Sequence, residues 1–81
     1  MKWVVSPGHG WLVVPVAKVR ASGAEISPFS WVTRGGNAYL EEDCDADAYL
    51  DAINMPPEAR DKIRVTYIDN EPRSRLSGTR V

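Results

Sequence analysis

The run Glu41-Glu42-Asp43-Cys44-Asp45-Ala46-Asp47 is where this chain of 81 residues concentrates groups able to do chemistry. Carboxylates at alternating positions, here Asp43, Asp45 and Asp47, are what a calcium loop uses to wrap a cation in oxygen. The rest of such a loop is missing. Ala48 stands where the sharp turn demands glycine, and Asn54 where a bidentate Glu would close the coordination shell. Cys44 and His9 are the candidates for a thiol nucleophile and its base. Carboxylates on both sides of Cys44 oppose the thiolate, the form that attacks, so the sequence favours a buried or inert cysteine. His9, between Gly8 and Gly10, lacks the two or three further ligands that a transition metal takes. Gly8-His9-Gly10 and Gly35-Gly36 match no phosphate-loop spacing and read as turns. The expectation is a protein without catalytic residues, metal or cofactor.

Charge distribution is more informative than net charge, which is only −1. Residues 1–34 carry four bases and one acid, and residues 60–81 carry six bases and three acids. Between Gly35 and Ala59 lie seven acids and no base. A helix start accounts for some of these carboxylates, since negative charge complements the helix dipole there. The remainder suggests an acidic surface built from Glu41, Glu42, Asp43, Asp45, Asp47 and Asp51 that docks on a basic surface of another protein. The alternative uses Arg73, Arg75 and Arg80, with exposed aromatics, to bind nucleic acid.

These groups need a scaffold. Trp3-Val4-Val5 and Trp11-Leu12-Val13-Val14, separated by Ser6 to Gly10, read as a hairpin whose second strand is apolar on both faces and therefore central. Pro15 is placed as a first helical residue and Gly23 as the residue after the helix end, with Val16 and Val19 on one side. Ser30 to Thr33 and Ala38 to Glu41 flank Arg34-Gly35-Gly36-Asn37; with the two glycines as the loop, Trp31 would face Leu40 and Val32 would face Tyr39. Ala46, Tyr49, Leu50 and Ile53 have amphipathic helical spacing, with Asp43 or Asp45 as the cap and Pro56-Pro57 as the stop. Pro57 to Lys62 forms a short helical turn and Arg64 to Ile68 a last strand.

The resulting expectation is an α+β fold: a small, mainly antiparallel sheet of about five strands, with one main helix at about 45–54 and one or two short helices on one side. Residues 1–70 form the domain and 71–81 a basic tail. Two of the three tryptophans belong in the core, because a chain this small needs their area. One cysteine permits no intramolecular disulfide, which favours a reducing compartment. Ser6-Pro7-Gly8 cuts the N-terminal apolar run short of a signal-peptide core, and no apolar stretch reaches membrane-spanning length, so the reading is cytoplasmic, with no membrane partner.

Three stretches carry a resemblance: His9-Gly10-Trp11-Leu12-Val13-Val14-Pro15, Ile26-Ser27-Pro28-Phe29-Ser30-Trp31, and Tyr39-Leu40-Glu41-Glu42-Asp43-Cys44-Asp45-Ala46. They resemble a pattern in short, uncharacterised proteins of bacterial phages, plasmids and integrative elements. The pattern spans residues 9 to 53 and brings no activity or functional residue with it. The resemblance implies an accessory protein, in a population that includes anti-CRISPR and anti-restriction inhibitors acting by binding. The combined expectation is a non-enzymatic binding module, a monomer or homodimer, whose partner is a host protein or complex with a basic surface.

Overall fold

The computed structural model describes residues 1–69 and residue 81. Five strands, β1 (Lys2–Val5), β2 (Gly10–Pro15), β3 (Trp31–Val32), β4 (Asn37–Glu41) and β5 (Val65–Tyr67), form one sheet in the order β3-β4-β2-β1-β5. Among the described residues three helices complete it: α1 (Val16–Ser22), α2 (Asp45–Ala52) and α3 (Pro57–Arg60). The fold is the expected α+β type. Among the described residues all strand pairs are antiparallel except β1 with β5.

β2 is central, as its two-sided apolar pattern demands. Leu12 and Val14 join Leu40, Ala38 and Val32 on one face, where Val19 of α1 and Ala46, Tyr49 and Leu50 of α2 close over them. Trp11 and Val13 turn to the other face and meet Val4 and Trp31, with Tyr39 and Ile68 packed against them. Among the described residues, no helix residue belongs to that second cluster. Of the three tryptophans, Trp11 and Trp31 are buried and Trp3 is half-buried against the helix side.

Several local expectations are corrected. The β3–β4 register pairs Trp31 with Tyr39 and Val32 with Ala38, one residue away from the expected pairing. The loop has three residues, 34–36: the Gly36 amide donates to the Thr33 carbonyl (3.0 Å), and only Gly36 of the two glycines takes a left-handed φ of 82°. A turn followed by a left-handed glycine is a favoured three-residue hairpin connection. Pro15 ends β2 opposite Asn37 and precedes α1, because its ψ of 130° is extended; Val16 begins the helix, its amide bonded to the Gly36 carbonyl (2.8 Å).

α2 stops before the prolines. Asn54 takes a left-handed φ of 57°, its amide donates to Asp51 O (3.0 Å), and the Met55 amide donates to Leu50 O (3.0 Å). These paired bonds satisfy the last carbonyls of the helix. Ile53 therefore lies beyond the helix and is 37% exposed instead of completing the apolar stripe. Cys44 occupies the N-cap position, and neither Asp43 nor Asp45 makes the expected capping hydrogen bond. Among the described residues no helix is long and apolar enough to cross a membrane.

Candidate functional site

A cavity of about 400 Å³ opens on the helix-free side, lined by the rings of His9, Trp11, Phe29 and Trp31 and by Ser27, Glu41, Asp43 and Cys44. Its walls follow from strand register. Trp11 stands opposite Glu41 across the β2–β4 pair, so indole and carboxylate rise from the same face. Trp31 stands opposite Tyr39, and their rings stack at 5.2 Å with an interplanar angle of 11°. Trp11 meets Trp31 edge-on at 5.7 Å and His9 at 5.7 Å in a tilted arrangement. Offset and edge contacts of this kind add about 0.5–1.5 kcal/mol per pair beyond area burial. The rings thus cover one another on a face to which no helix among the described residues contributes.

The segment between α1 and β3 is held by an interior carboxylate. Asp45 is 1% exposed and accepts three hydrogen bonds, from the Ser27 amide (2.9 Å), Ser27 Oγ (2.6 Å) and Ser30 Oγ (2.5 Å). Ser30 Oγ in turn accepts from the Glu41 amide (2.9 Å), tying the segment to β4. Satisfying a buried carboxylate with three donors offsets the cost of removing its charge from water. The network fixes the backbone on either side of Phe29, which remains 76% exposed beside the cavity.

The expected acidic surface is consequently divided. Asp45 is removed from it by burial and belongs to the fold. Asp51 is exposed but ion-paired to Arg60 (2.7 Å), whose Nε also donates to the Met55 carbonyl (2.8 Å). Glu42, Asp43 and Asp47 are exposed and Glu41 is half-buried. The Glu42 side chain lies against Gly10, whose missing Cβ leaves room for it. Glu41 and Asp43 face the cavity, and neither forms an ion pair among the described residues. Burial holds the Glu41 carboxyl above its ordinary value of 4.5, and the negative charges of Asp43 and Asp45 push the same way, while the Asp43 backbone opposes them. Arg73, Arg75 and Arg80 lie outside the described residues.

Of the two alternatives for Cys44, buried or inert, burial is removed: the residue is exposed and shares the cavity with His9. The calcium-loop comparison fails structurally as well: Asp45 turns its oxygens inward to serine and amide donors, away from any site shared with Asp43 and Asp47. Among the described residues no three His, Cys, Asp or Glu side chains are grouped to hold a metal ion.

In the sequence the tryptophans read as core and the acids as surface, with nothing local to bring them together. His9, Ser27 and Phe29 were not assigned to a site. The available signal lay in the three stretches 9–15, 26–31 and 39–46, which supply every lining residue of the cavity. Comparison with protein-family models, with curated proteins and with solved structures gave no match to this chain.

Proposed function

We propose that this protein is a small non-enzymatic binding module that docks on a basic surface of a host protein or protein complex through its helix-free face. The supporting observation is an aromatic cavity whose two carboxylates, Glu41 and Asp43, lack ion-pair partners among the described residues. Unpaired negative charge over a preformed apolar surface suits a cationic protein partner, raising association rate and selecting against acidic surfaces. Exposed Glu42 and Asp47 extend the charge beyond the cavity. Enzymes of nucleic-acid defence hold their substrates on basic surfaces. Inhibition of such a complex, of the anti-CRISPR or anti-restriction kind carried by phages and mobile elements, is the biological role we propose. The carboxylates would repel nucleic-acid phosphates, and the buried Trp11 and Trp31 offer little open ring face for stacked bases.

The test is a pull-down from nuclease-treated bacterial lysate. The tagged chain is expected to retain a discrete protein complex. A Glu42→Lys, Asp43→Lys, Asp47→Lys variant, altered only at exposed positions, should lose it with an unchanged circular-dichroism spectrum. Capture that persists in that variant, or that disappears with nuclease, would remove the acidic contact and transfer the assignment to the segment with Arg73, Arg75 and Arg80.

A further inference from the structure

We propose that the cavity on the helix-free face receives one arginine side chain of the partner protein, with the guanidinium between the aromatic rings and the carboxylates of Glu41 and Asp43. This rests on the binding-module reading and gives that module its specificity element.

Size, shape and charge select the occupant. A volume of about 400 Å³ lies near the lower end of ligand pockets, large enough for one long side chain with part of its backbone. Phe29, 76% exposed, provides open planar π surface beside the buried rings of Trp11 and Trp31, and on it a planar, weakly hydrated guanidinium gains cation–π and stacking energy. Lysine offers a compact ammonium that holds its water more tightly, and cannot match a carboxylate with a two-pronged fork. A neutral apolar side chain would bury Glu41 and Asp43 further without compensating their charge. An anionic occupant would be repelled by both.

The cavity is also preformed. Phe29 is flanked by Ser27 and Ser30, both fastened to Asp45, and its amide donates to Ser27 Oγ (3.3 Å). Glu41 is fixed through its own amide to Ser30 Oγ (2.9 Å). One buried carboxylate therefore positions an aromatic wall and an anionic wall together, so little ordering remains to be done when a cation enters. Glu41 is already disfavoured as an anion by burial and by its acidic neighbours, and an incoming guanidinium relieves that directly.

The experiment titrates the folded chain with three blocked tripeptides, acetyl-Gly-X-Gly-amide with X as arginine, lysine or citrulline. The readout is the indole N–H resonances. Trp11 and Trp31 belong to the helix-free cluster and Trp3 packs on the other side, so Trp3 is an internal control. The arginine peptide should shift the Trp11 and Trp31 signals saturably, with a dissociation constant on the order of 1 mM, equivalent to about 4 kcal/mol. Lysine should bind at least about 5-fold more weakly, and citrulline, the uncharged isostere, should produce no saturable shift. Glu41→Gln and Phe29→Ala should each weaken the arginine response by roughly 2- to 5-fold. Equal responses to arginine and citrulline, shifts shared by Trp3, or no shift at roughly ten times the expected constant would each overturn the assignment. Loss of arginine selectivity with lysate capture intact would leave the docking module standing without this pocket. Arginine selectivity with charge-insensitive capture would refute the acidic docking surface and keep the pocket.

Discussion

The two faces of the sheet are buried by different means. On one, Leu12, Val14 and Leu40 lie beneath α1 and α2 and lose essentially all contact with solvent. On the other, Trp11 and Trp31 are 3% and 7% exposed, their rings lean on each other and on Tyr39, and no helix residue among the described residues joins their cluster. Aliphatic burial under helices gives a core. Aromatic burial on the other face leaves a cavity whose lining the carboxylates of Glu41 and Asp43 help to complete. The indole Nε1 of Trp31 sharpens the contrast: it is buried without a hydrogen-bond partner among the described residues. A donor left in that condition costs about 1–3 kcal/mol. The helix-covered face has no such group among the described residues.

The largest effect that should separate the faces is at Leu40. Leu40→Ala removes a side chain with 0% exposure from the helix-covered side and is expected to cost about 2–5 kcal/mol. That approaches the whole stability of a small domain, about 5–15 kcal/mol. Urea unfolding should show a midpoint near or below the start of the titration. A loss under about 1 kcal/mol would mean that this face is not the principal core.

Asp45→Asn should have an intermediate effect and should act across the boundary between the faces. It removes the charge from three hydrogen bonds, each of which is worth about 1.5–3 kcal/mol when charge-assisted. Since an amide retains some of these bonds, a net loss of about 2–3 kcal/mol is expected in urea melts. The Trp31 indole resonance should move at the same time, reporting the segment that Asp45 anchors. An unchanged melt would show that the Ser27 and Ser30 contacts do not contribute to stability.

Glu41→Gln should give the smallest change, with a sign set by pH. The folded-state carboxyl lies above its ordinary value of 4.5. Folding therefore takes up protons between that value and the raised one, and stability falls as pH rises through the window. Below it the native residue carries no penalty; above it the partly buried charge lowers stability. Thermal melts should find the Gln variant slightly more stable at neutral pH, with the difference disappearing under acid. A variant less stable at neutral pH would mean that the charge of Glu41 has a stabilising partner.

Most of the scaffold was legible in the sequence because it depends on local chemistry. β2 announced itself by being apolar on both faces, α1 by Val16 and Val19 between Pro15 and Gly23, and α2 by Ala46, Tyr49 and Leu50. The Arg34-Gly35-Gly36 loop was misjudged by one residue, since two adjacent glycines allow either a two- or three-residue connection. The discriminator is long-range. Facing Trp31 with Leu40 would force an aliphatic core residue of β4 onto the aromatic side, because a one-residue slip exchanges the faces. The site was less legible for the same reason. Asp45 looks like its acidic neighbours in the chain, and its burial depends on serines 15 and 18 residues earlier. Trp11 and Glu41 belong to one site only once β2 and β4 are paired. Exposure at Ile53 followed from Asn54, whose turn ended the helix before the apolar spacing did.

The parallel pairing of β1 with β5 has a consequence for biosynthesis. Trp3 of β1 pairs with Val65 of β5, 62 residues later. At translation rates of about 5–20 residues per second, β1 leaves the ribosome roughly 3–12 s before its outer neighbour has been made. Over that interval the β1–β2 hairpin presents an open hydrogen-bonding edge to whatever else is being synthesised nearby. Yield in a producing cell should therefore depend on nascent-chain density and chaperone supply more strongly than the stability of the finished fold suggests, and slower growth should favour recovery of the native chain.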